Sequence, residues 1–367
     1  MIAEETEIAL HGRAPWGQLD IGKNTQALNF NNFIRYQCED IIDAALRKVD
    51  NIVKKLEEQG IAAINSPGIG FESSHWGEIC QGPLDYNGHT ITALISLPRR
   101  DLWTIAVFQP LSGRDVNVEP TYAEKAARAV RIALDAGGMP NIGGYLELIC
   151  NIKTVGCGAG SSTCNVVAAV RSVNDAFEIG FSDADIQKIT QWVEGASDPL
   201  ALISGGTVAI YGSRSGDIVE RIEKSLPPMA CLGFITSPGK TVLTESLIGN
   251  EQYTSTDSYE FKKILTMAVT AIQSQRLDLL AKAATESGRL NQKNVPISKY
   301  DDICISATEN GALGVAVSHS GTVCAALFDP TNPCLWDKMK SLAEELKSLG
   351  CIDFQPFTPT ANRKTFV

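Results

Sequence analysis

The chain is poor in aromatic residues, 7% of 367, and nowhere reaches the run of about eighteen apolar residues that a membrane-spanning helix needs. No membrane span is expected. The N-terminus has no charged lead followed by an apolar stretch, so no secretory signal is read there and a cytoplasmic location is the expectation. The net charge of −10 is spread thinly, without a long basic or acidic block, which speaks against a nucleic-acid surface. CxxC pairs and His-rich companions are missing too: the ten cysteines stand singly at 38, 80, 150, 157, 164, 231, 304, 324, 334 and 351, mostly among apolar residues. Buried reduced thiols are the expected state, not disulfides or a zinc site. No internal repeat or low-complexity segment occurs. What is present is 44% hydrophobic content, enough for one large core or two modest ones.

Residues 1–32 are polar and irregular. From 33 to 59, Ile34, Ile41, Ala45, Val49, Val53 and Leu56 fall near helical spacing until Gly60, which predicts one long amphipathic helix whose apolar face packs on the body or on a second subunit. "HTITALISLP" and "LWTIAVFQP" predict two adjacent strands. Helical spacing returns at 121–136. "GYLELICNI" predicts a strand running into "TVGCGAGSSTCN" (154–165), and Val166, Val170, Val173 and Phe177 form a stripe on the helix beyond. Helices are further predicted at 183–194, 257–285 and 335–348, and strands near 207–211, 230–235, 313–318 and 322–328. Strands and helices mix without strict alternation, so the fold class is α+β and not a doubly wound sheet.

The glycine-rich stretch is the chemical landmark. Unpaired backbone N–H groups and aligned peptide dipoles make a helix N-terminus attract phosphate, and glycines allow close approach. A glycine turn with serine caps and no ligand is the plain alternative. A Walker loop is excluded because no Lys follows the glycines; the nearest imitation, "GFITSPGKT" at 233–241, has five residues between Gly233 and Gly239 instead of four. A dinucleotide fingerprint needs Gly at 161 and finds Ser. Glu178 lies twenty residues after Gly158, but a nicotinamide enzyme also needs a strand in the region where 161–177 reads as helix.

"GAGSST" at 158–163 resembles the GLGSSA phosphate loop of the GHMP kinases, "SSHWGEICQG" at 73–82 resembles their first motif, and "GVAVSHSGTVCAALF" at 314–328 resembles the third. Within that family the segments look most like the L-threonine kinases of cobalamin assembly, through Gly77, Glu78, Gln81 and Gly82, "EGASDP" (194–199), "LNQKNVP" (290–296) and "SHSGT" (318–322). The resemblance covers about residues 72–330. It departs at Lys153, where a proline usually stands, at Trp76, and in an extra residue between Glu194 and Asp198.

The resemblance implies a two-lobed fold, with an N-terminal ribosomal-S5-like lobe at 71–212, a C-terminal ferredoxin-like lobe at 213–367, and residues 1–70 as an N-terminal extension. It implies an ATP- and Mg2+-dependent kinase acting on a small hydroxylated amino acid or related alcohol, as a monomer or a homo-oligomer, or else a silent ligand-binding homologue. Gly156, Gly158, Ala159, Gly160, Ser161, Ser162 and Thr163 are the implied ATP-binding residues. Ser162 is also an implied Mg2+ ligand, against a helix cap. Glu194 joins it as metal ligand, against an exposed helix-end Glu. Asp198 is the implied catalytic base, against a helix cap followed by Pro199. Glu78, Gln81, Ser320, Gly321 and Thr322 are the implied substrate-binding residues, Glu78 alternatively capping local backbone. His319 reads equally as a hydrogen-bonded structural residue, and His11, His75 and His89 are scattered and form no recognisable arrangement.

Overall fold

The computed structural model describes residues 38–152, 160–236 and 253–359. In chain order these form α1 (Glu39–Glu57), β1 (Gly68–Tyr86), β2 (His89–Glu119), α2 (Glu124–Ala136), β3 (Ile142–Cys150), α3 (Ser161–Phe177), α4 (Asp183–Glu194), the single turn α5 (Leu200–Ile203), β4 (Val208–Gly212), β5 (Ile218–Ile222) and β6 (Ala230–Ile235). Then follow α6 (Ser255–Ser274), α7 (Leu277–Asn291), α8 (Tyr300–Glu309), β7 (Gly314–Val317), β8 (Val323–Phe328), α9 (Leu335–Ser348) and β9 (Ile352–Phe357). All strand pairs are antiparallel and join one nine-stranded sheet in the order β5-β4-β2-β1-β7-β8-β6-β9, with β3 also paired to β2. The α+β class is therefore correct.

Strand alternation explains why this sheet is a middle layer. Successive residues point to opposite faces, and here both faces are apolar. Ala106, Phe108, Leu146 and Leu148 pack with α2, α3 and α4, while Ile105, Val107 and Tyr145 pack under α1 with Ile42, Ala45 and Val49. In the other half, Val323, Ala325 and Leu327 meet α6 and α7, and Cys324, Ala326 and Phe328 meet α8 and α9. The amphipathic helix before Gly60 thus lays its apolar face on the body of the chain. At about 25 cal/mol per Å2, each fully buried Ile or Val in that seam contributes about 1.5–3 kcal/mol.

Two sequence expectations are corrected. The tracts at 89–98 and 102–110 are parts of one continuous strand, β2. The polar "PRRD" between them reads as a turn, yet Pro98 and Arg99 stay paired with β1, and the buried Arg99 guanidinium lies 4.3 Å from the Trp76 ring centroid and 4.8 Å from that of Phe357. Cation–π contact and the Asp101 ion pair keep this arginine inside the fold. The helix predicted over 257–285 is α6 and α7, broken where Gln275 adopts φ 56° and Arg276 N–H donates to Ala271 O at 2.9 Å. This is a left-handed helix stop without a glycine, invisible to apolar periodicity. No described helix is long and apolar enough to cross a membrane.

Candidate active site

Gly156, Gly158 and Ala159 lie outside the described residues. Gly160 closes the loop as the N-cap of α3, with φ 65°. Here glycine is required twice over: the conformation is left-handed, and a Cβ would stand 2.3 Å from His75 Cδ2. Gly160→Ala is expected to lower stability by about 1–3 kcal/mol and to weaken ATP binding, measurable by thermal denaturation and calorimetry; a variant with unchanged values for both contradicts this packing.

The first turn of α3 meets the last residue of α4. Ser162 Oγ donates to Glu194 Oε1 and Thr163 Oγ1 to Glu194 Oε2, each at 2.5 Å. Ser162 is therefore not the helix cap, and Glu194 is not an exposed helix end but 8% exposed. Burial raises its carboxyl above the usual range, against the lowering effect of both hydroxyls. One carboxylate with a neighbouring hydroxyl is an all-oxygen donor set that suits Mg2+, which keeps further positions for water and phosphate.

Just beyond α4, Gly195 turns the chain with φ 73°. Gln187 Nε2 donates to Asp198 O at 2.9 Å and to Ser197 Oγ at 3.1 Å, and Ser197 N–H donates to Ser213 O at 2.9 Å. The Asp198 backbone is fixed by this network, and its carboxylate does not cap α5, whose N-cap is Pro199. Asp198 Oδ2 lies 2.9 Å from His75 Nε2 instead.

His75 is the residue that sequence reasoning missed. It sits on β1 where the pairing with β2 slips three times, between Ser73 and Ser74, His75 and Glu78, and Glu78 and Cys80. Gly77, at φ 83° and close against Ser318 N, is part of that irregularity. As a result His75 and Glu78, three apart, approach each other, with Nδ1 to Oε1 at 3.4 Å, while Trp76 is buried in the core and donates from Nε1 to Cys324 O at 2.9 Å. A glycine inside a β pattern is the available signal for such a bulge. Neither Glu78 oxygen meets a backbone N–H, so it is not a local cap. Burial drives the Glu78 carboxyl up to about 8 despite the nearby imidazole.

The remaining implied substrate residues form an adjoining, self-bonded group. Gln81 donates from Nε2 to Val317 O at 2.9 Å and holds His319 Nδ1 at 2.9 Å through Oε1. On the β7–β8 turn, Ser320 Oγ lies 2.8 Å from Thr322 Oγ1 and 3.2 Å from Ser318 Oγ, and Thr236 Oγ1 donates to Gly321 O at 2.8 Å. Close to the end of β3 a cleft of about 400 Å3 opens, bordered by Lys48, Pro120, Tyr122, Cys150 and Asn165. No strand follows Glu178: it ends α3 with φ 49°, and α4 begins at Asp183, so the dinucleotide arrangement is absent here.

Residues 121–206 match the family model of the GHMP kinases N terminal domain and residues 268–352 that of the GHMP kinases C terminal domain. No curated protein matches the sequence. Among solved structures, homoserine kinase from Cytophaga hutchinsonii superposes with a TM-score of 0.62 at 14% identity, over 82% of this chain and 96% of that one. Galactokinase from Lactococcus lactis, complexed with galactose, gives 0.60 at 12% identity over 80% and 92%. A protein designated MDDEF, in complex with MVAPP, AMPPCP and magnesium, gives 0.58 at 12% identity over 80% and 97%.

Proposed function

We propose, from the premise that the chain belongs to the GHMP kinase family, that it transfers the γ-phosphoryl group of ATP to the hydroxyl of a small, threonine-like amino acid. The observation that carries this reading is the junction of α3 with the α4–α5 connection, which sets Ser162, Thr163 and Glu194 beside a carboxylate, Asp198, that has no capping duty. The homoserine kinase neighbour, whose substrate is a hydroxylated amino acid by its name, supports the acceptor class, as does the AMPPCP and magnesium of MDDEF for the donor.

In this reading the triphosphate lies at the N-terminus of α3, where backbone N–H groups and the helix dipole receive it. The nucleoside occupies the cleft beside Cys150 and Asn165, with the exposed Tyr122 ring at its rim. Ser162 and Glu194 would hold Mg2+, which when bound neutralises phosphate charge. Asp198 accepts the proton of the acceptor hydroxyl as the new bond to phosphorus forms. ADP release should be measured with threonine, serine, homoserine and related hydroxy acids. Release with one or more of them is the expected result; ATP binding without release from any would leave a silent ligand-binding homologue.

A further inference from the structure

His75 is held more tightly than a core histidine requires. Its ring packs on Gly160, and a Cβ there would lie 2.6 Å from Nε2. That nitrogen faces Asp198 at 2.9 Å, and the opposite one faces Glu78 at 3.4 Å. The side chains of His75 and Glu78 are 3% and 0% exposed, that of Asp198 21%. Two carboxylates confined so closely cannot both ionise without a counter-charge, and in the described ion pairs neither meets a lysine or arginine. Nδ1 also lies 3.4 Å from Gly77 O, so both ring nitrogens face acceptors; a neutral imidazole has one N–H to offer, an imidazolium two.

We propose that His75 is a positioning residue for phosphoryl transfer: as an imidazolium wedged between the phosphate-loop glycine and Asp198, it keeps Asp198 a carboxylate aimed at the acceptor hydroxyl. This deepens the kinase reading and rests on it. Burial favours the neutral ring, but the charge of Asp198 and its hydrogen bond outweigh that effect and hold the His75 pKa at about 9. Asp198, which burial alone would raise, is held below the ordinary carboxylate range by the same contact. In the step served, the acceptor oxygen bonds the γ-phosphorus while the bond to the bridging oxygen breaks. ADP leaves with that electron pair, and the hydroxyl proton passes to Asp198, whose exposed edge returns it to water.

The groups facing His75 are Glu78 on its own strand and Asp198 from the α4–α5 connection; beyond Asp198 stand His319 of the β7–β8 turn and Glu194 at the end of α4. The imidazolium is present below its pKa and lost above it, and ionised Glu78 favours its charged form, so wild-type kcat should fall as pH rises through about 9, where His75 loses its proton.

The test compares His75→Gln, which removes the charge, with His75→Lys, which keeps it at a higher pKa, both checked for folding by thermal denaturation and for ATP affinity by calorimetry. His75→Gln should lower kcat about 100-fold, leave KM for ATP within about threefold and abolish the alkaline limb. His75→Lys should recover about a tenth of the rate or more and move the limb to higher pH; if the Gln variant does not fold, this shift alone decides. Unchanged kcat and limb in His75→Gln overturn the inference while leaving the kinase reading intact. So does a transition metal retained stoichiometrically by the wild type and lost from His75→Gln, because the three side chains present ligand atoms within 4.8 Å of one another. A wild type that phosphorylates no acceptor overturns both.

Discussion

Asp198→Asn is expected to lower kcat by about 100- to 10,000-fold and to leave ATP affinity within about threefold. The side chain keeps its size and one acceptor oxygen but can no longer take up a proton. Its backbone is held independently, by Gln187 through Asp198 O and by the neighbouring Ser197–Ser213 bond, so the substitution does not dissolve the loop. The effect therefore falls on the chemical step. Single-turnover ADP release against a calorimetric ATP titration separates the two quantities, and an unchanged single-turnover rate removes Asp198 from the mechanism.

Glu194→Gln is expected to raise the Mg2+ concentration needed for half-maximal rate by about 10- to 100-fold, in the range seen when a metal site loses a supporting group. It should leave the melting temperature unchanged or higher, because a buried carboxylate whose charged form is disfavoured by desolvation is replaced by a neutral amide. A glutamate retained only to anchor Ser162 and Thr163 would behave in the opposite way, losing stability with no change in metal dependence. Rate against free Mg2+ at saturating ATP, together with thermal denaturation, distinguishes them. Ser162→Ala should shift the same curve less, since the carboxylate charge remains.

The sequence revealed those elements whose signals are local. The helix at 183–194 was visible from its apolar spacing, and Ser182 with Asp185 forms a capping box at its start. Ser162, Glu194 and Asp198 could be named because a family-like motif surrounds each, and the fold brings the first two into contact. The 31-residue length of β2 could not be seen, because Arg99 looks like turn chemistry until Trp76 and Phe357 enclose it. The role of His75 is hidden for a related reason. In a regular pleat, residues three apart lie on opposite faces, so nothing in the linear order joins His75 to Glu78, and Asp198 arrives from the far end of a separate helix. Gly77, between them at φ 83°, marks the irregularity that brings them together.

The middle of β1 is also stitched to distant chain: Trp76 to Cys324 across 248 positions, Gln81 to Val317 across 236 and to His319 across 238. Contacts so remote in sequence form late, after the loop-closure entropy has been overcome. A nascent chain still lacking β7 and β8 would leave Trp76 without its acceptor, Cys324 O, and Glu78 without its β7 partner, Val317, although it keeps Ser96 of β2. On the proposed kinase reading, competence would then emerge only once β7 and β8 join the sheet, and a product truncated before them would be inert even with Asp198 and Glu194 in place.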